Sequence, residues 1–297
     1  MAKRRGKRSR YDQIIIAGII LSVIAIALYL WGPLHTSKRR DDQKQPPQTR
    51  GRELSPKQQA REKTESEKHV AKQHEKTAFV AIVIDDLGQD LTSTQEVLEL
   101  PGRVTLAVMP LLPQSKKTAE LGRRNGREVL LHLPMEPMNK NGKRVAPGTL
   151  RADMTPGEFI TTLNDDIDAV PGAIGINNHE GSSLTENKEA MTFLMSELKD
   201  RNLFFLDSIT GPKSAAYSTA KEFGLKAARR TVFLDNESDN PKYIRGQLEE
   251  LTQLAKKNGS AIGIGHPHPA TISELKKWLA AADERGIEIV PVSHLVR

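Results

Sequence analysis

The chain has no cysteine. Disulfides, thiolate metal sites and a cysteine nucleophile are therefore excluded, and the redox compartment stays open. Apolar residues are scarce: the hydrophobic set is 37% of 297 residues, low for a single globule of that length. Three glycine-based signatures are missing. No GxGxxG follows the first apolar run, and no P-loop or GxSxG elbow occurs, so a dinucleotide, nucleotide or serine-hydrolase site has no support. The net charge of +7 invites a nucleic-acid reading, but its distribution removes it. Residues 1–77 carry 18 Lys and Arg against 8 Asp and Glu; residues 78–297 carry 26 against 29. The part able to fold is slightly acidic, and no nucleic-acid partner is expected.

The N-terminal basic excess flanks an uncharged stretch. Residues 1–13 form a basic tail, and residues 14–34, "IIIAGIILSVIAIALYLWGPL", contain no charge. At ~1.5 Å per helical residue, about 20 such residues cross ~30 Å of hydrocarbon. Tyr29 and Trp31 lie near the far end, where amphipathic rings favour the interface. The preceding basic block keeps the N-terminus in the cytoplasm, so the remainder is expected outside, on the periplasmic or extracellular face of the cytoplasmic membrane. A cleaved signal peptide is the alternative, although the span exceeds the ~7–15 residues of a usual h-region. Residues 35–77 are polar, with almost no large apolar side chain, and read as a flexible linker.

From residue 78 onward one pattern repeats. Short runs rich in β-branched residues recur at 79–84, 103–109, 128–133, 173–177, 203–207, 231–235, 261–265 and 287–292. Between several of them apolar residues return at a helical period, as in Phe159, Ile160, Leu163, Ile167 and Val170. Strands alternating with helices predict an α/β fold with a buried parallel sheet over 78–297. The length favours a (β/α) barrel, with an open doubly wound sheet as the alternative.

In such folds chemistry gathers at the C-terminal ends of the strands. There the chain places Asp85 and Asp86, then His132 with Glu136 close behind. Asn177, Asn178, His179 and Glu180 end the next strand; Asp207, Ser208 and Thr210 the one after; His266 and His268 a later one. Four of the five histidines in 78–297 fall on this one rim. Adjacent carboxylates repel, and a divalent cation relieves that repulsion for the one that ligates it. Two neutral imidazoles with one carboxylate, leaving positions open, suit catalytic zinc or a similar first-row ion. The reaction class this predicts is hydrolysis at a carbonyl centre. Asp207 and Ser208 are candidates for lining a substrate cleft, with loop capping the alternative. Asp235 and Asn236 read as turn residues.

The segments "IDDLG", "LHLPMEP", "GINNHEGS", "FLDSIT", "RTVFLDN" and "IGIGHPHP", in this order, give 79–297 a resemblance to the divergent polysaccharide deacetylases, relatives of metal-dependent carbohydrate esterases. The resemblance implies a distorted (β/α)7 barrel. It implies Asp85 as base, Asp86, His132 and His179 as metal ligands, and His266 as general acid with His268 the alternative. His268 is otherwise grouped with Asp207 and Ser208 in substrate binding, and Glu136 and Glu180 with the support of the ligands. Two departures stand out. The family's His-x-x-x-His reads His132-x-x-x-Glu136, so either His179 supplies the second imidazole or Glu136 ligates. The arginine that usually holds the base charged has no evident counterpart. The implied activity is removal of acetyl groups from an envelope glycan such as peptidoglycan by a membrane-anchored protein. The alternative is a catalytically inactive glycan-binding or scaffold protein of the same fold.

Overall fold

The computed structural model describes residues 78–138 and 145–297. The basic tail 1–13, the apolar span 14–34 and the linker 35–77 lie outside the described residues. Within them no helix is long and apolar enough to cross a membrane.

Each expected apolar run contributes a strand, and four of the helices between them start at a side-chain cap. β1 spans Ala78–Leu87, α1 Leu91–Leu98, β2 Thr105–Val108, α2 Ser115–Arg124 and β3 Val129–Met135. α3 covers Pro156–Ala169, β4 Gly175–Glu180, α4 Lys188–Asp200, β5 Phe204–Asp207 and α5 Ala216–Glu222. β6 is Ala227–Arg229, β7 Val232–Phe233, α6 Pro241–Asn258, β8 Ser260–Gly265, α7 Pro269–Ala280 and β9 Ile287–Ile289. Asp90 caps α1 by accepting from Ser93 N at 2.8 Å. Thr155 and Glu158 form a reciprocal capping box on α3, with Pro156 at its first turn. Asn240 caps α6, which ends at Gly259 in the left-handed conformation, φ 83°. Sequence reading passes over β6, because "AAR" carries no β-branched residue.

All ladders are parallel, in the order β6-β5-β4-β3-β2-β1-β8-β7, with β9 beside β1. The terminal strands β6 and β7 are consecutive in the chain. The link between them bonds both ways: Arg230 N donates to Asp207 O of β5, and Thr231 N to Ile262 O of β8. One short segment thus joins the two ends of a curled sheet. The apolar core confirms the curl. The helices pack on one side of the sheet, where Val97, Phe159, Leu163, Met191, Leu248 and Leu275 are buried. The enclosed side holds Ala81, Val83, Ala107, Leu130, Phe204, Leu206, Ile262 and Ile264, plugged by Val292, Leu295 and Val296. A doubly wound sheet would carry helices on both faces; among the described residues no α-helix contributes to the second cluster, whose Val292 comes from the 3-10 turn Val292–His294.

α3 buries one group without a partner. Asp166 is 0% exposed, and neither carboxylate oxygen has a hydrogen bond. It lies against Gly148 (φ 75°), where an added Cβ would fall 2.0 Å from Asp166 Oδ1. Burial, helped by the neighbouring Asp165, pushes the Asp166 carboxyl up to about 8. The unfolded chain ionises it near pH ~4. Between these values the folded state keeps a proton that the unfolded state has released, so stability falls as pH rises across this window and the penalty is complete above pH 8. Asp166→Asn should remove that slope. Thermal melts at pH 4 and pH 8 should show little change at the lower pH and a gain on the order of a few kcal/mol, several degrees in Tm, at the higher.

Candidate metal centre

Successive strand side chains point to opposite faces, so every second residue looks into the enclosed side. Following the enclosed series upward gives Ala81, Val83, Asp85 on β1 and Leu130, His132 on β3. It gives Gly175, Asn177, His179 on β4, Leu206, Ser208 after β5, and Ile262, Ile264, His266 after β8. The apolar filling of the lower layers is replaced at the top by donors and acids.

Asp86 breaks the alternation and still reaches the same place. Its φ is 59°, a left-handed conformation that strains a residue with a Cβ, and the β1/β2 register shifts between Ile84 and Leu87. This local distortion lets two consecutive carboxylates serve one site.

Asp86, His132 and His179 converge. Asp86 Oδ1 is 2.9 Å from His179 Nδ1 and 3.2 Å from His132 Nε2, and the two nitrogens are 3.2 Å apart. Three donors held ~2.1 Å from one ion at tetrahedral or octahedral angles lie ~3.0–3.4 Å apart. Asp86 Oδ1 is buried between the two rings without meeting hydrogen-bond geometry to either. Three donor atoms this close to one another around a common centre fit a divalent cation. Burial opposes charge on Asp86, but the two imidazoles outweigh it and hold the carboxyl well below the usual carboxylate range. In this triangle the residue grouped with His132 and Asp86 is His179 and not Glu136. Glu136 stands apart from it and accepts from Ala152 N at 3.2 Å.

Asp85 lies beside the triangle, 3.6 Å from His132 Nε2 through Oδ2. Its other oxygen accepts from Asn177 Nδ2 at 2.9 Å. It is 2% exposed, and burial pushes its carboxyl up, against the opposing pull of His132 and His266. A carboxylate with a raised pKa, held by a neutral amide, is a competent proton acceptor.

His266 faces the same space, with Nε2 3.7 Å from Asp86 Oδ2. Its Nδ1 is 3.0 Å from Asp235 Oδ1. Asp235 is anchored in turn, its Oδ2 accepting from His266 N at 2.7 Å and Thr271 Oγ1 at 2.9 Å. Asp235 is thus a buried partner of the histidine, not a turn residue. Burial would lower the His266 pKa, but Asp235 and Asp85 overcome it and raise it to about 9. The ring is therefore protonated at neutral pH and is a proton donor. Asp235→Asn should let the His266 pKa fall back toward ~6.5. The alkaline limb of a pH–rate profile should then move down from near pH 9 by about two units.

The space between these groups opens as a cleft of about 310 Å³. Ser208, Thr210, Ser182 and Phe233 line it with the catalytic candidates. Ser208 lines the cleft. Asp207 does not. Its side chain points away from the enclosed face, and its oxygens accept from Ile209 N, Ser214 Oγ and Tyr217 N. It shapes the loop before α5, so the substrate-binding expectation is corrected to loop capping. His268 is exposed at the start of α7, its ring 5.7 Å from that of His266, and is not among the cleft-lining residues. It forms a looser cluster with Asp235 and His266. Glu180 is exposed at the cleft edge, and its backbone oxygen accepts from Asn178 Nδ2 and Thr210 Oγ1.

The sequence alone gives no role to Asn177, Phe233 or Arg230 and reads Asp235 as a turn residue. Arg230 Nε and Nη2 hold the carbonyls of Ser208 and Ile209, at 2.6 and 2.9 Å, and its guanidinium lies 4.9 Å from the Phe233 ring centre. It fixes the β5 end of the cleft, where Ile209 is left-handed at φ 51°.

A family model described as divergent polysaccharide deacetylase matches residues 82–296. The chain is 41% identical over 200 residues to the uncharacterized protein YibQ of Escherichia coli (strain K12), covering 67% of this chain and 62% of that one. The match thus spans less than two thirds of that relative's length. An uncharacterized protein of Haemophilus influenzae (strain ATCC 51907 / DSM 11121 / KW20 / Rd) is 35% identical over 218 residues, 73% of this chain and 76% of its own. Among solved structures, uncharacterized protein ATU2773 from Agrobacterium tumefaciens C58 superposes with a TM-score of 0.71 at 31% identity, covering 74% of this chain and 90% of that one.

Proposed function

This chain belongs to the divergent polysaccharide deacetylase family, and from that premise we propose that it hydrolyses N-acetyl groups on a cell-envelope polysaccharide such as peptidoglycan, using one divalent metal ion. The observation that carries this reading is the placing of a base and an acid, Asp85 and His266, beside one Asp/His/His triangle. Simple binding of a glycan calls for neither.

Asp86, His132 and His179 would hold the ion, and one carboxylate with two imidazoles suits zinc. When bound, such an ion polarises the acetyl carbonyl and lowers the pKa of water. The remaining work belongs to the chain. Asp85, held by Asn177, takes the proton of the attacking water. Water oxygen bonds to the acetyl carbon, and the C–N bond breaks. His266, kept protonated by Asp235, gives its proton to the departing nitrogen. Acetate and a free amine are the products. Ser208 and Thr210 offer hydroxyls along the cleft, and Phe233 an apolar face.

The substrate's location follows from the N-terminal sequence. The uncharged run 14–34 anchors the chain in the cytoplasmic membrane, and the linker 35–77 lets the head reach a polymer fixed in the envelope. The test is acetate release from N-acetylated glycan fragments by the purified chain. Release should stop on chelation and return with Zn²⁺. Binding of the same fragments without release under any metal would favour the inactive scaffold instead.

A further inference from the structure

Two buried polar atoms beside the triangle have no hydrogen-bond partner: His132 Nδ1 and Asn177 Oδ1. They are complementary. His132 and Asn177 are register neighbours in the parallel β3/β4 pair, on the same enclosed face. The other end of the Asn177 amide is committed, since Nδ2 donates to Asp85 Oδ1 at 2.9 Å and lies 3.3 Å from Ser208 Oγ. An ionised carboxylate can only accept, so the amide nitrogen must face Asp85. The amide oxygen is then the end left without a partner, on the strand next to His132.

We propose that Asn177 is a bridging positioning residue that joins the base to the metal ligand through one amide. Its nitrogen fixes the Asp85 carboxylate, and its oxygen accepts Nδ1–H of His132. That bond selects the tautomer in which the Nε2 lone pair of His132 faces Asp86 Oδ1 and His179 Nδ1. A metal-binding imidazole generally needs such an acceptor behind it. No charge is used in this bridge. The two orphan atoms are accounted for together, as expected where nearly every buried polar group is paired. The inference rests on the metal-dependent reading above for its chemistry, but not for its test.

The test separates the two ends of the amide. Full-length wild type, Asn177→Ala and Asn177→Asp are stripped of metal and titrated with Zn²⁺ against a competing chelator. Acetate release is assayed in parallel. Asn177→Ala loses both ends, and its zinc affinity should fall ~10–100-fold along with release. Asn177→Asp can still accept from His132 but cannot donate to Asp85. It should keep zinc affinity within about threefold of wild type while release falls about a hundredfold or more. An Asn177→Ala protein with wild-type zinc affinity overturns the proposal. So does an Asn177→Asp protein whose affinity falls as far as that of Asn177→Ala. If Asn177→Ala does not fold, the isosteric Asn177→Asp decides alone, and a tenfold or greater loss of its zinc affinity overturns the bridge. Zinc affinity is read without turnover, so absence of hydrolysis in wild type would count against the proposed activity and not against the bridge to His132.

Discussion

Asp85→Asn should bind one equivalent of zinc as tightly as wild type and release acetate about a thousandfold more slowly. Asp85 is outside the ligand triangle, with 3.6 Å between its Oδ2 and His132 Nε2. The substitution changes one oxygen to nitrogen and leaves the shape of the site intact, but an amide cannot take a proton from water. General-base contributions of ~10²–10⁴ set the scale of the loss. The fall should appear in kcat, because the base acts in the transition state and not in substrate binding. Isothermal titration with Zn²⁺ and an acetate assay measure the two halves. Release at the wild-type rate would remove Asp85 from the mechanism. Loss of zinc together with activity would move Asp85 into the ligand set.

Asp86→Asn should have the opposite signature, losing metal and activity together. Asp86 is the one carboxylate of the triangle, within 2.9 and 3.2 Å of the two imidazole nitrogens. Its replacement removes the negative charge that offsets the cation, and zinc affinity should fall about a thousandfold or more. Asparagine is a suitable probe because Asp86 sits at φ 59°, where Asn is among the residues best tolerated. The variant should therefore fold, with a thermal melt close to that of metal-free wild type. His179→Ala should lose zinc in the same way while keeping its fold. Full zinc occupancy in either variant after dialysis would show that these residues do not form the site.

The two neighbouring aspartates illustrate how far the sequence reaches. Their position at the end of an apolar run, before a glycine, marks them as strand-end carboxylates of a parallel α/β fold. A divalent cation held by one of them would relieve their repulsion. What the sequence does not contain is the way Asp86 is turned. Strict alternation would send it to the opposite face from Asp85, and only the left-handed backbone with the register shift between Ile84 and Leu87 brings both to one centre. Asp207 shows the converse. It ends a strand as Asp85 does, but its parity points it outward, into the loop before α5. Residue type and strand end are visible in the chain; parity against a curled sheet is not.

The sequence by itself determined the parallel α/β class, the rim on which chemistry gathers and the donor types available there. Those follow from local patterns of apolar period, turn residues and strand ends, which short stretches specify alone. Tertiary structure decided the pairings: Asn177 with Asp85 across 92 residues and Asp235 with His266 across 31. It also decided that His179, and not Glu136, completes the triangle. Such pairings depend on which strands become neighbours and how the sheet curls. That is a property of the whole packed core, and no local segment encodes it.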